Sequence, residues 1–293
     1  MAWWQFSLDC RACELEQVED LMQELGASSI SLADAADEPI YEPLPGTAPV
    51  WERSILTATF DAASDPEILQ RRISAALPDR IAASIRRHRL EDEDWEQSYQ
   101  RHFKPLRCAP GLWIVPSWAE PPDPGATVIN LDPGLAFGTG SHPTTALCLA
   151  WLAAHDVSGL RVIDYGCGSG ILAIAACKLG APEVVAVDID AQALSACAAN
   201  FDINGIDAGR VRICLPEAME QRPADLVIAN ILAGPLLELA PRLAGLVKAG
   251  GRILLSGILN SQLDDILSGY RPYFDLDPAR SREDGACICG KRI

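Results

Sequence analysis

The chain opens on alternation: Trp4, Phe6 and Leu8 fall on one side of residues 3–9, the period-two pattern of a half-buried strand. From residue 12 the period changes. Leu15, Val18, Met22 and Leu25 recur at helical spacing and stop at Gly26, a helix-ending signal. Alternation returns between Ser28 and Ala33 through Ile30 and Leu32. Beyond a proline-rich stretch (Pro39, Pro43, Pro45, Pro49) it returns again through Ile55, Thr57, Thr59 and Phe60. Asp65-Pro66 opens a second helical run carrying Ile68, Leu69, Ile73 and Leu77, since proline suits the first helical position. Residues 80–90 read as a closing strand. The order β-α-β-β-α-β predicts a small ferredoxin-like α+β domain over residues 1–90.

Residues 91–104 begin with Glu91-Asp92-Glu93-Asp94-Trp95-Glu96 and read as a linker helix, its acids placed at the favourable end of the helix dipole. With a connector it fills residues 91–125. From 126 the pattern changes to strands alternating with helices, which predicts a parallel α/β sheet over 126–293. The strands fall at 127–131, 161–165, 183–188, 210–214, 224–230 and 250–257, and the stretches 272–279 and 285–292 suit an antiparallel edge pair. A length of 293 residues fits two domains.

Charge narrows the partners. The chain carries 40 Asp+Glu against 24 Lys+Arg, a net −16. Residues 1–100 hold 20 of those acids and only 8 of the basic residues. This balance speaks against sequence-independent binding of nucleic acid, which needs cations to neutralise phosphates, and favours a basic macromolecular partner. Residues 1–9 lack the basic and apolar regions of a signal peptide, and no stretch is long and apolar enough for a membrane span. Of ten cysteines, Cys148, Cys167, Cys177, Cys197 and Cys214 sit in or beside apolar segments and read as small buried hydrophobes, and Cys10-x-x-Cys13 has no second pair with which to hold a metal. A reduced, cytoplasmic protein with no metal and no membrane partner is expected.

The candidate chemistry begins at residue 161. A strand, Arg161-Val162-Ile163-Asp164-Tyr165, runs into Gly166-Cys167-Gly168-Ser169-Gly170 and then straight into a helix. Alternate glycines there allow a tight turn and let a ligand lie on bare backbone at the carboxyl end of a strand, where open α/β sheets bind ligands. The spacing differs from the G-x-G-x-x-G of dinucleotide sites, and taken alone it also suits a βα turn with no ligand. The next strand ends Val187-Asp188-Ile189-Asp190, with Asp188 placed to accept bonds from both hydroxyls of a ribose. Asp190 suits the cap of the helix that follows. A fourth strand closes on Asn230, and Gly250-Gly251 turns into another apolar strand.

This series resembles the class I S-adenosylmethionine-dependent methyltransferases, whose catalytic domain is a Rossmann-like sheet. Asn130-Leu131-Asp132-Pro133-Gly134-Leu135-Ala136-Phe137-Gly138-Thr139-Gly140-Ser141-His142-Pro143-Thr144-Thr145, together with Asn230-Ile231-Leu232-Ala233-Gly234-Pro235, narrows the resemblance to the ribosomal protein L-eleven methyltransferase family (PrmA). The resemblance implies S-adenosyl-L-methionine as cofactor. It also implies, as protein substrate, the large-subunit ribosomal protein L-eleven, methylated on lysine side chains and on its N-terminal amine, with no direct nucleic-acid partner. Thr145, Gly166, Asp188 and Asn230 match the family's cofactor contacts, with Gly168 leaving room for the cofactor and Asn230 facing the incoming amine as the catalytic position. Phe137 suits a place over the cofactor or over the stem of the target lysine. His142 reads as a polar helix-start residue. Two other classes stay open at this point: a methyltransferase of the same fold acting on another protein, RNA or a small molecule, and a non-catalytic scaffold. Ile231-Leu232-Ala233 in place of the Asn-Pro-Pro-aromatic run of base-modifying enzymes weighs against RNA.

Overall fold

The structure, a computed structural model, describes residues 3–36, 50–90, 103–132, 140 and 142–293. Two compact units divide the chain, Met1–Ser98 and Tyr99–Ile293. In the first, β1 (Trp3–Arg11), β2 (Ser29–Asp34), β3 (Arg53–Asp61) and β4 (Arg86–Leu90) form an antiparallel sheet in the order β2-β3-β1-β4. The helices α1 (Leu15–Glu24) and α2 (Pro66–Ala76) join the strands in the ferredoxin-like order. The alternation of β1 and β3 sends Phe6, Leu8 and Cys10, with Leu56, Ala58 and Phe60, onto the face that meets Val18 and Met22 of α1 and Ile73 of α2. Phe6 and Phe60 meet edge to face at 5.7 Å, each fully buried and worth about 1.5–3 kcal/mol of burial. Asp65 caps α2 by accepting from the N–H groups of Glu67 and Ile68. The last strand is shorter than expected: Asp79–Ala82 forms a helical turn, α3, which lets Ile81 plug the core, and extended structure starts only at Arg86.

The second unit is built on β8 (Arg161–Tyr165), β9 (Glu183–Val187), β10 (Val211–Cys214), β11 (Ala224–Asn230), β12 (Val247–Leu259), β13 (Phe274–Leu276), β14 (Arg280–Arg282) and β15 (Gly285–Arg292). Their order is β10-β9-β8-β11-β12-β15-β13, with β14 paired to β15. The five strands from β10 to β12 run parallel; β15 is antiparallel to β12, β13 and β14. This is the Rossmann-like methyltransferase sheet that the resemblance implied. Alternate side chains feed two cores. Val162, Val184, Ala186, Leu226 and Ile228 face the side of α4 (Pro143–Ala154), α5 (Ile171–Lys178) and α6 (Ala191–Ile203). Ile163, Val185, Val187, Val227 and Ala229 face α7 (Ala233–Gly245) and α8 (Leu263–Tyr270).

Two expectations change. The strand at 127–131 is present as β7 (Thr127–Asn130), but it lies outside the main sheet. It runs parallel to β6 (Leu112–Val115), which is antiparallel to β5 (Leu106–Ala109), and this three-stranded sheet buries Leu112, Ile114 and Ile129 in the core shared with α4 and α5. Part of the stretch expected as connector therefore carries strands. The second change concerns residues 272–279 and 285–292: the pairing is antiparallel, yet β15 sits inside the sheet, between β12 and β13. The expected linker helix with Trp95 falls almost wholly outside the described residues.

Candidate functional site

β8 is flanked by β9 on one side and β11 on the other, and all three run parallel, so their carboxyl ends open at the same height. After β8 the chain moves outward one way to β9 and β10, whereas β11 and β12 lie on the other side; a crevice at such a switch point is where open α/β sheets take ligands. The glycine loop turns there. Gly166, Gly168 and Gly170 adopt φ of 79°, 51° and 79°. The N–H groups of Gly166 and Cys167 both donate to the Val187 carbonyl, at 2.7 and 3.0 Å. The loop is thus strapped to the end of β9, beside Asp188.

Asp188 binds the loop directly. Its Oδ2 accepts from Gly168 N (2.9 Å) and its Oδ1 from Asp190 N (3.0 Å), and each oxygen keeps a lone pair for a hydroxyl donor. Asp190 caps α6 by accepting from Gln192 N at 2.8 Å. On the other side of β8, Asn230 ends β11. Its Nδ2 donates to Thr145 Oγ1 at 3.1 Å, and its Oδ1 is buried with no donor. Thr145 is itself 1% exposed, so the hydroxyl that accepts this bond is buried with it. His142 caps α4, its Nδ1 accepting from Thr144 N (3.4 Å). Ser256, paired in register with Asn230 across β11 and β12, donates between the carbonyls of Ala286 (2.8 Å) and Thr144 (3.2 Å), pinning the start of α4 to the sheet.

A family model described as "Ribosomal protein L11 methyltransferase (PrmA)" matches residues 2–293. Similar full-length relatives bear the same name: one from Ectopseudomonas mendocina (strain ymp) is 48% identical over 99% of both chains, and one from Pseudomonas aeruginosa (strain LESB58) is 47% identical over 100% of this chain and 99% of its own. A crystal structure of ribosomal protein L11 methylase from Lactobacillus delbrueckii subsp. bulgaricus is 36% identical, with a TM-score of 0.59 over 65% of this chain and 99% of that one. The chain belongs to the ribosomal protein L11 methyltransferase family. Its second unit has the class I fold of that family, which binds S-adenosylmethionine.

The groups at the crevice fit such a cofactor. Asp188 offers acceptors for ribose hydroxyls, and Asn230 Oδ1 is a buried acceptor in need of a donor. Asp164, two residues before Gly166, is 1% exposed; its Oδ2 accepts from Ala173 N at 3.0 Å and its Oδ1 has no partner. Burial raises its carboxyl to about 7, opposed by the Ala173 hydrogen bond and helped by the charge of Asp188. The neighbouring Cys197, whose sulfur lies 4.0 Å away, and then burial push the Cys167 thiol far up, which leaves it a packing group.

The structure brings Thr145, Gly166, Gly168, Asp188 and Asn230 together; Phe137 lies outside the described residues. Sequence reasoning overlooked three neighbours. Ile189 is 83% exposed between Asp188 and Asp190, and Leu232 is 52% exposed two residues after Asn230. Apolar side chains left bare beside polar site residues are the signal that could have marked them. The third is Ile231, which packs against the glycine loop.

Proposed function

We propose that the protein transfers methyl groups from S-adenosylmethionine to amines of ribosomal protein L11, on lysine side chains and on the N-terminal amine, in the cytoplasm. The carrying observation is Asn230: a buried amide oxygen without a donor, held by Thr145 at the carboxyl end of β11 and beside the glycine loop. When bound, the cofactor supplies a methyl group made electrophilic by its sulfonium. In this reading Asp188 holds the ribose, the loop from Gly166 to Gly170 leaves backbone open to the methionine part at Gly168, and Ile189 lies against the adenine. Leu232 offers an apolar lip for the alkyl stem of a lysine.

The acceptor must arrive neutral, although a lysine ammonium has a pKa of about 10.4 and an α-ammonium about 8. Desolvation in the crevice favours loss of that proton to water. Asn230 Oδ1 then accepts one N–H of the free amine and points its lone pair along the transfer direction. An amide takes no proton at neutral pH, so the role of Asn230 is to hold and aim, and positioning carries most of the rate. The N-terminal unit, residues 1–90, is assigned to recognition of the protein substrate, and residues 126–293 to catalysis.

The test is mass spectrometry of L11 after incubation with enzyme and cofactor, alongside free RNA. Mass increments of methyl groups on L11 amines are expected; methyl increments on the RNA alone would overturn the reading. Asn230→Ala is expected to lower turnover by at least about a hundredfold while cofactor affinity changes little, since it removes an interaction made to the reacting amine. A loss confined to cofactor affinity would reassign Asn230 to the cofactor.

A further inference from the structure

Two glycines far apart in sequence close on a single residue, one on its side chain and the other on its backbone. A Cβ on Gly166 would lie 2.2 Å from Ile231 Cγ2, and a Cβ on Gly257 would lie 2.3 Å from the Ile231 carbonyl oxygen and 2.9 Å from its nitrogen. Both glycines are in the left-handed region, at φ 79° and 81°, which other residues enter only under strain. Gly257 follows Ser256, the last β12 residue in register with β11, and falls where the pairing of β12 with β15 shifts between Leu255 and Ile258. An irregularity at that point re-aims the backbone, here bringing it against the peptide of Ile231. One side of Ile231 is thereby seated on the cofactor loop and the other on β12, while the residue before it is Asn230.

We propose that Ile231 is a positioning residue: its γ2 methyl on the bare α-carbon of Gly166, with its peptide on Gly257, sets the separation between the cofactor loop and Asn230. The proposal rests on the site reading given above. Its content is geometric. The donor side of the reaction is carried by the loop after β8 and the acceptor side by the end of β11, and Ile231 is the spacer between them. A core is close-packed and yields little at such contacts, so the spacer transmits its dimensions to the alignment of the reacting atoms.

The branch at Cβ makes this testable. Valine keeps the γ2 methyl and loses only the terminal one. Leucine keeps the volume and loses the γ2 methyl, and alanine loses both. The full-length protein and the variants Ile231→Val, Ile231→Leu and Ile231→Ala are compared by single-turnover methyl transfer to L11, by cofactor affinity and by thermal unfolding, with Asn230→Ala in the same series. Ile231→Val is expected to stay within about twofold of the parent rate, and Ile231→Leu and Ile231→Ala to fall at least about tenfold at nearly unchanged cofactor affinity, because small misplacements are costly to transfer. If leucine instead matches the parent and valine falls below it, the side chain acts by volume and the proposal is wrong. Losses that follow the unfolding temperature, or cofactor affinity in equal measure, also overturn it. Should Ile231→Leu fail to fold, Ile231→Ala against Ile231→Val carries the same contrast. A normal rate in Asn230→Ala would instead mark failure of the underlying site reading.

Discussion

Asp164 shows how one buried carboxyl ties the cofactor loop to pH. In the unfolded chain it ionises near 3.8; in the fold burial raises this to about 7. Between those values the folded protein holds the extra proton, so its contribution to stability is full below about pH 4, is lost as pH rises towards 7, and is absent above. The slope for this one group is at most about 1.4 kcal/mol per pH unit. Asp164→Asn keeps an acceptor for Ala173 N and removes the charge, so its unfolding temperature is expected to lack that decline; an unchanged pH profile between 4 and 8 would contradict the assignment. Asp188 differs in being open to a ligand. Its replacement by alanine is expected to weaken cofactor binding by about 1.5–3 kcal/mol, the scale of a hydrogen bond to a charged group. Calorimetric titration of the cofactor reads it directly, and an unaltered affinity would take Asp188 out of the site.

Among the elements, those governed by local rules were legible. The run from β8 through three glycines into α5 needs only a strand, a turn that tolerates positive φ, and a helix, and the caps at Asp65 and Asp190 follow from side-chain chemistry within three residues. The alternation of β1 and β3 likewise survives intact in the ferredoxin-like core. What escaped depends on distant partners. β7 has the apolar character of a main-sheet strand and differs only in pairing with β6, a choice made by tertiary packing. The β5–β6 hairpin is the exception, being local: Leu106 and Cys108 alternate before the turn at Gly111, and Leu112 and Ile114 after it. At the site, the matches at Asp188 and Asn230 could be read from motif and strand end. Thr145 as the partner of Asn230 could not, because the contact joins residues 85 apart; the approach of Gly166 and Gly257 to Ile231 was hidden for the same reason.

Across the whole molecule, the excess of acid lies in residues 1–100, with 20 Asp+Glu to 8 Lys+Arg. A lysine-bearing substrate approaching this unit would be steered by charge, whereas the cofactor meets a crevice built from backbone and a few fixed groups. Screening over a Debye length of about 10 Å at 0.1 M salt acts on the first encounter far more than on the second. Raising salt is therefore expected to slow association with L11 while cofactor affinity holds, measurable by stopped flow on one hand and titration on the other. Equal sensitivity would reduce the acidic excess to a solubility feature.

The place of β15 inside the sheet has a consequence for how the molecule is made. The residues assigned to donor and acceptor all precede residue 258, yet among the described residues the outer edge of β12 pairs with β15 alone, at Gly285–Arg292. A chain made at about 5–20 residues per second leaves that strand edge without its partner for seconds after β12 is complete. Until then β13 lacks the strand it pairs with, and the bare edge of β12 is open to pairing with another chain. Synthesis of one late strand thus turns an aggregation hazard into a finished sheet.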